Sequence, residues 1–148
     1  MKKLQNILIT GANGQLGMCL RDVVQNMQNG NGNGNRNGRD AINRVSTVFF
    51  TDIEELDITD ISAISSFVHK NKIDCIINTA AYTAVDKAES EPEKAFLING
   101  EGVWNLAHVC MEQNVFLIHI STDYVFDGTA AKPYKTNARR NPVSVYGQ

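Results

Sequence analysis

The stretch Thr10-Gly11-Ala12-Asn13-Gly14-Gln15-Leu16-Gly17 could hold a phosphate with no charged side chain of its own. Glycine at 11 permits a tight turn, and glycine at 14 lets backbone approach a pyrophosphate. Glycine at 17 lets a following helix pack closely on the preceding strand. The free N–H groups at the start of that helix would face the anion. Asp52 ends a second apolar run, where a carboxylate can hold the hydroxyls of an adenosine ribose. It lies 35 residues after Gly17 rather than the usual spacing of about 20. A carboxylate there repels a 2′-phosphate and favours NAD, whereas the nearby Arg39 and Arg44 would soften that preference. Ser121-Thr122 closes a later apolar run, and Tyr146 follows Thr122 by 24 residues. A hydroxyl and a phenol so placed could share hydrogen bonds with a substrate carbonyl, the phenol giving a proton as hydride arrives from a nicotinamide. A free phenol titrates near pH ~10, so that role calls for a neighbouring cation.

These groups need a scaffold that brings strand ends together. Asn6-Ile7-Leu8-Ile9-Thr10 reads as a buried parallel strand, and Leu16, Leu20, Val23, Val24 and Met27 recur at helical spacing after it. Thr47–Thr51 is a second strand. Asp60 then caps a helix with Ile61, Ile64, Phe67 and Val68 on one face. Ile73 to Asn78 is a third strand, Glu91 to Gln113 a long helical stretch, and Val115 to Ile120 a fourth strand. Strands alternating with helices imply βαβ units and an α/β, doubly wound parallel sheet of Rossmann-like type. In such sheets ligands bind at the carboxyl ends of the strands, where the glycine turn, Asp52 and Thr122 all fall.

The chain has 148 residues, 43% of them hydrophobic and 20% charged, as suits one globular domain. Its formal net charge is −2, from 14 basic and 16 acidic residues, which gives no electrostatic case for nucleic acid. The apolar runs are strand-sized, so no membrane span is expected, and no signal-peptide pattern follows the N-terminus. A cytoplasmic location is the expectation. Cys19, Cys75 and Cys110 sit in apolar patterns and are expected to be reduced, buried thiols. The three histidines have no metal-type spacing, so no metal is expected. Lys132, Lys135, Arg139 and Arg140 read as a solvated loop face. Residues 29 to 38 form a low-complexity Asn-Gly tract within a loop at about 28–40, with too little apolar surface to offset its ordering entropy. It accounts for the long spacing to Asp52.

Taken together, these segments resemble the extended short-chain dehydrogenase/reductases, and more narrowly the dTDP-4-dehydrorhamnose reductase family. The resemblance rests on Ile9 to Gly17, Leu56-Asp57-Ile58-Thr59-Asp60, and Ile77-Asn78-Thr79-Ala80-Ala81-Tyr82-Thr83-Ala84-Val85-Asp86-Lys87-Ala88-Glu89. Ser121-Thr122-Asp123-Tyr124-Val125-Phe126-Asp127-Gly128 and Pro142 to Gly147 complete it. It implies that Gly14, Gln15 and Leu16 touch the pyrophosphate of NADH or NADPH and that Asp52 holds the ribose. It also implies that Asp57 and Ile58 flank the adenine, and that Ala81, Tyr82 and Thr83 line the nicotinamide side. Thr122 would polarise a 4-keto group, Asp123 would contact substrate, and Tyr146 would donate the proton and touch the cofactor. The implied reaction is hydride transfer to dTDP-4-dehydro-6-deoxy-L-mannose, a sugar nucleotide, giving dTDP-L-rhamnose. A homodimer is compatible with the full-length form. The resemblance further implies a lysine four residues after the tyrosine, at position 150, and a C-terminal substrate domain. The expectation is therefore that residues 1–148 are the N-terminal, cofactor-binding part and do not turn over alone. The other class of function the residues allow is a non-catalytic dinucleotide- or partner-binding module, similar to the regulatory β-subunit of methionine adenosyltransferase. Gln15-Leu16 and Tyr82 to Lys87 favour the reductase.

Overall fold

The computed structural model describes residues 4–28 and 47–148. The low-complexity tract, Arg39 and Arg44 lie outside the described residues. Strands β1 (Asn6–Thr10), β2 (Thr47–Thr51), β3 (Cys75–Asn78) and β4 (Phe116–His119) form one sheet in the order β2-β1-β3-β4. All three pairings are parallel, with Leu8 opposite Phe49 and Ile76, and Ile76 opposite Leu117. The chain leaves β1 toward β2 through helix α1 (Gln15–Gln28) and returns past β1 to β3 through α2 (Ile61–Asn71). Right-handed crossovers in opposite directions put these helices on opposite faces, with the switch point between β1 and β3. That is the doubly wound plan read from the sequence.

One face carries the main core. Leu8 and Ile76 from the sheet meet Ile64 and Val68 of α2. Leu106, Val109 and Cys110 of a later helix, α5 (Gly102–Gln113), complete the contact. Leu8, Ile64, Ile76, Leu106 and Val109 are fully buried, each removing surface worth roughly 1.5–3 kcal/mol from water. Asp60 caps α2 as its spacing predicts, its carboxylate accepting from the N–H groups of Ser62 and Ala63 at 2.9 Å. Lys72 ends that helix in the left-handed region with φ 50°. The opposite face is covered more sparsely. Among the described residues Gly17 is the buried one on α1, and Phe116, Ile118 and Ile120 of the fourth strand region are exposed.

The long helix expected over 91–113 is interrupted. Helix α3 (Val85–Ala88) precedes it, then α4 (Pro92–Phe96) runs through a π-helical turn at Leu97–Glu101 into α5. Pro92 stands at the start of α4, where its missing N–H is harmless. The π turn holds Asn99-Gly100, a turn-type dipeptide inside an otherwise helical pattern. Cys75 and Cys110 are buried, and burial pushes the Cys110 thiol up to about 11. Cys19 departs from the expectation of a buried thiol. Although α1 is amphipathic, this side chain is exposed and borders the open space at the carboxyl ends of the strands. Among the described residues no helix is long and apolar enough to cross a membrane.

Candidate functional site

The carboxyl ends of the strands open onto a cleft of 1090 Å³. Gly11, Gly14, Gln15 and Leu16 line it from the β1–α1 turn, and Asp52, Asp57 and Ile58 from the segment after β2. Ala81 and Thr83 follow from the segment after β3, and Thr122 and Tyr146 from beyond β4. Residues far apart in sequence thus share one cavity.

The glycines of the turn have separate duties. Gly11 has φ +67°, and a Cβ on it would sit 2.5 Å from the backbone nitrogen of Ala80, so conformation and space both exclude a side chain. A Cβ on Gly17 would run into the carbonyl oxygen of Gly11 and lie 2.6 Å from Cα of Ala12. Gly14 is different, because among the described residues its would-be Cβ meets only the Gly11 carbonyl, 3.3 Å away. Close packing of the turn calls for glycine at 11 and 17, whereas Gly14 chiefly keeps backbone open toward the cleft. Helix α1 begins at Gln15 with its first N–H groups at that opening. The Thr79 hydroxyl ties the turn down, donating to the Thr10 carbonyl at 2.6 Å and to that of Gly11 at 3.2 Å.

Asp52 turns its carboxylate back on the same turn. It accepts from the N–H of Asn13 at 2.8 Å and from that of Ile53 at 2.8 Å. Asp57 accepts from both the N–H and the hydroxyl of Thr59 at 2.8 Å. Asn105 of α5 holds this segment, donating to the carbonyls of Ile58 and Thr59 at 3.2 and 3.1 Å.

Two residues named from the sequence are not among those that line the cleft. Tyr82 is 8% exposed and packs into a small second core with Ala88, Ala95, Val145 and Tyr146. Its hydroxyl donates to Glu91 at 3.0 Å, and burial, then the Glu91 contact, push its phenol up. Its ring therefore supports the Tyr146 turn from behind rather than facing the cavity. Asp123 starts a single 3-10 turn (Asp123–Val125), where its carboxylate accepts from the Thr122 hydroxyl at 3.4 Å. The Thr122 hydroxyl also accepts from the N–H of Tyr124 at 3.2 Å.

Tyr146 lies on a second 3-10 turn, Val145–Gly147. Its ring meets that of Tyr124 edge-on, with centroids 5.4 Å apart. The N–H of Val145 donates to Glu89 at 2.9 Å, tying the turn to the residues after α3. Gly147 packs against the Tyr124 carbonyl so closely that no Cβ would fit.

Several cleft residues were not singled out from the sequence. Asn99, in the π turn, accepts from the N–H of Tyr82 at 2.8 Å and donates to its carbonyl at 2.9 Å, fixing the backbone between Ala81 and Thr83. A π turn at such a place is a common feature of functional sites. The Asn-Gly pair inside a helical pattern was the available signal. Arg140 lines the cleft as well, out of a stretch that reads as a solvated face. Among the described residues no group of three or more His, Cys, Asp or Glu side chains is arranged to hold a metal.

Comparison with known proteins agrees with this architecture. The family model described as RmlD substrate binding domain matches residues 5–148. A dTDP-4-dehydrorhamnose reductase of Aggregatibacter actinomycetemcomitans is 39% identical over 145 residues, covering 98% of this chain and 44% of that protein. The crystal structure of a dTDP-4-dehydrorhamnose reductase from Clostridium acetobutylicum superposes with a TM-score of 0.76 at 40% identity, over 97% of this chain and 45% of that one. A dTDP-4-dehydrorhamnose reductase from Bacillus anthracis, in complex with NADP, gives a TM-score of 0.80 at 34% identity, again over 97% and 45%. The chain spans less than half the length of each of these relatives. With a match over nearly its whole length, this chain belongs to the RmlD substrate binding domain family.

Proposed function

We propose that the protein reduces the 4-keto group of dTDP-4-dehydro-6-deoxy-L-mannose to give dTDP-L-rhamnose, using NADH or NADPH, and that this chain is its cofactor-binding half. The observation that carries the reading is the single cleft joining the glycine turn, Asp52, Thr122 and Tyr146. The residues fit a dinucleotide. Gly14 leaves backbone open for a pyrophosphate, the N–H groups at the start of α1 favour an anion, and the Asp52 carboxylate, bonded beside the same turn, is an acceptor for ribose hydroxyls. The bound cofactor supplies the hydride. Gln15 and Leu16 flank the phosphates, Asp57 and Ile58 border the adenine, and Ala81 and Thr83 shape the nicotinamide end. Thr122 offers a hydroxyl to the 4-keto oxygen, and the Tyr146 hydroxyl gives it a proton. Thr122 frees its one proton for that oxygen by giving up its bond to Asp123, whose carboxylate then contacts the sugar nucleotide. A cytoplasmic location goes with this reading.

The test is a titration of the purified protein with NADH, followed by protein fluorescence. Wild type saturates, and Gly14→Val keeps its circular dichroism spectrum while losing at least about tenfold in affinity, because the new side chain fills the space of a phosphate contact worth ~1.5 kcal/mol or more. Equal affinity in a folded variant removes the glycine turn from the binding site.

Asp52 sets a preference between the two cofactors. A 2′-phosphate placed beside its carboxylate is repelled, so NADH binds more tightly than NADPH. Asp52→Ser removes the charge and raises the ratio of NADPH to NADH affinity by about tenfold, a modest share of the repulsion between charges at contact distance. An unchanged ratio contradicts this role for Asp52.

A further inference from the structure

A polar row crosses the sheet one layer above its hydrophobic core. Leu8, Ile76 and Leu117 stand side by side in register on β1, β3 and β4, and two residues further along each strand come Thr10, Asn78 and His119. Thr10 and Asn78 are completely or almost completely buried, at 1% and 0% exposure. Their hydrogen bonds have only one consistent direction. The backbone N–H of Ala80 can only donate, and it points at Oδ1 of Asn78 from 3.1 Å. The Thr10 hydroxyl lies 2.6 Å from the same oxygen and donates to it too. The Asn78 carboxamide is therefore fixed, with its NH₂ group directed at Nδ1 of His119, 3.0 Å away.

Nδ1 of His119 must accept that bond, so in the neutral ring the proton sits on Nε2. Protonating Nδ1 as well would set two donors against each other, and burial likewise pushes the imidazole below its ordinary range. Among the described residues Nε2 has no hydrogen-bond partner, while the ring lines the cleft. The ring stands on the far side of the switch point from Asp52, across β3, on the side occupied by Ala81, Thr122 and Tyr146.

We infer that His119 is a binding residue for the nicotinamide half of the dinucleotide, giving an uncharged Nε2–H to an acceptor oxygen there and held in that tautomer by Asn78. This rests on the dinucleotide reading above. An uncharged donor suits the task, since a fixed cation would alter the charge felt by the ring that gives up hydride. The row from Thr10 to His119 also links the strand of the glycine turn to the nicotinamide end through one buried and one part-buried hydrogen bond.

The experiment measures NADH and ADP binding to wild type, His119→Phe and His119→Gln, with ¹⁵N imidazole spectra of wild type at neutral pH. The spectra are expected to show neutral His119 with the proton on Nε2. A proton on Nδ1, or a doubly protonated ring, overturns the inference without touching the cofactor reading. Phenylalanine keeps the ring's bulk, and His119→Phe is expected to weaken NADH about five- to tenfold, the loss of one hydrogen bond, while leaving ADP unchanged. His119→Gln, which keeps an N–H donor, is expected to recover part of that loss. Equal NADH affinity in wild type and His119→Phe overturns the role of His119 alone. An equal loss for NADH and ADP also overturns it, as the mark of a merely structural change. If wild type binds neither ligand, both this inference and the dinucleotide reading fall.

Discussion

Tyr146→Phe in the full-length protein is expected to lower kcat for 4-keto reduction by about 10²–10⁴-fold, the usual contribution of a positioned general acid. The substitution isolates the hydroxyl. The ring's edge contact with Tyr124 and its packing with Tyr82 and Ala95 involve carbon atoms that phenylalanine keeps. The turn is fixed by two backbone N–H donors, Val145 to the Glu89 carboxylate and Gly147 to the Ser144 hydroxyl, which the variant also keeps. NADH affinity should therefore stay within about threefold of wild type, a change of well under one hydrogen bond. Initial rates of NADH oxidation with the keto sugar nucleotide, together with a cofactor titration, separate the two effects. A variant with near-normal kcat would show that the proton comes from elsewhere.

Gly17→Val is the change expected to disturb the fold most. The Cβ alone would overlap the Gly11 carbonyl oxygen and lie 2.6 Å from Cα of Ala12, both backbone atoms that no rotamer change can move. Relief requires lifting α1 from the β1 turn. That turn is held by an N–H···O bond from Ala12 to Thr51 at 3.0 Å and by the Thr79 hydroxyl. Overpacking a tight site ordinarily costs about 1–3 kcal/mol, and two rigid backbone contacts place this one at or above the upper end. Against a total stability of about 5–15 kcal/mol, the loss should be plain in urea denaturation as a lower midpoint. Gly14→Val, only three residues away, should lose distinctly less, its Cβ lying 3.3 Å from one backbone oxygen. If the two variants lose stability equally, the separate duties assigned to these glycines are wrong.

The sheet and the order of its elements were legible because each strand is a short apolar run closed by a polar or glycine punctuation. Thr47–Thr51 coincides with the expected strand, while β3 starts two residues late, at Cys75, and β4 loses one residue at each end, leaving Phe116–His119. Asp60 was legible as a cap because a carboxylate directly before an apolar-periodic stretch has few other local uses. The interruption of the long helix was harder. Periodicity averages over several turns, and one extra residue per turn at Leu97–Glu101 leaves the apolar pattern on either side nearly unchanged. Tyr82 shows the limit of reading a site from a block of sequence. Its neighbours Ala81 and Thr83 line the cleft, but in this extended segment alternate side chains point opposite ways, and Asn99 fixes which way Tyr82 goes. His119 and Asn78 carried no signal of their own either. Their meaning comes from strand register, which sets residues 41 positions apart side by side.

The most direct test is an assay of the full-length protein, purified from its own cells, for oxidation of NADH or NADPH when dTDP-4-dehydro-6-deoxy-L-mannose is added. The expected result is loss of the reduced-nicotinamide absorbance that depends on the keto sugar nucleotide, with dTDP-L-rhamnose formed in equal amount. Cofactor that binds at the strand-end cleft but is not oxidised with either NADH or NADPH would contradict the reductase reading.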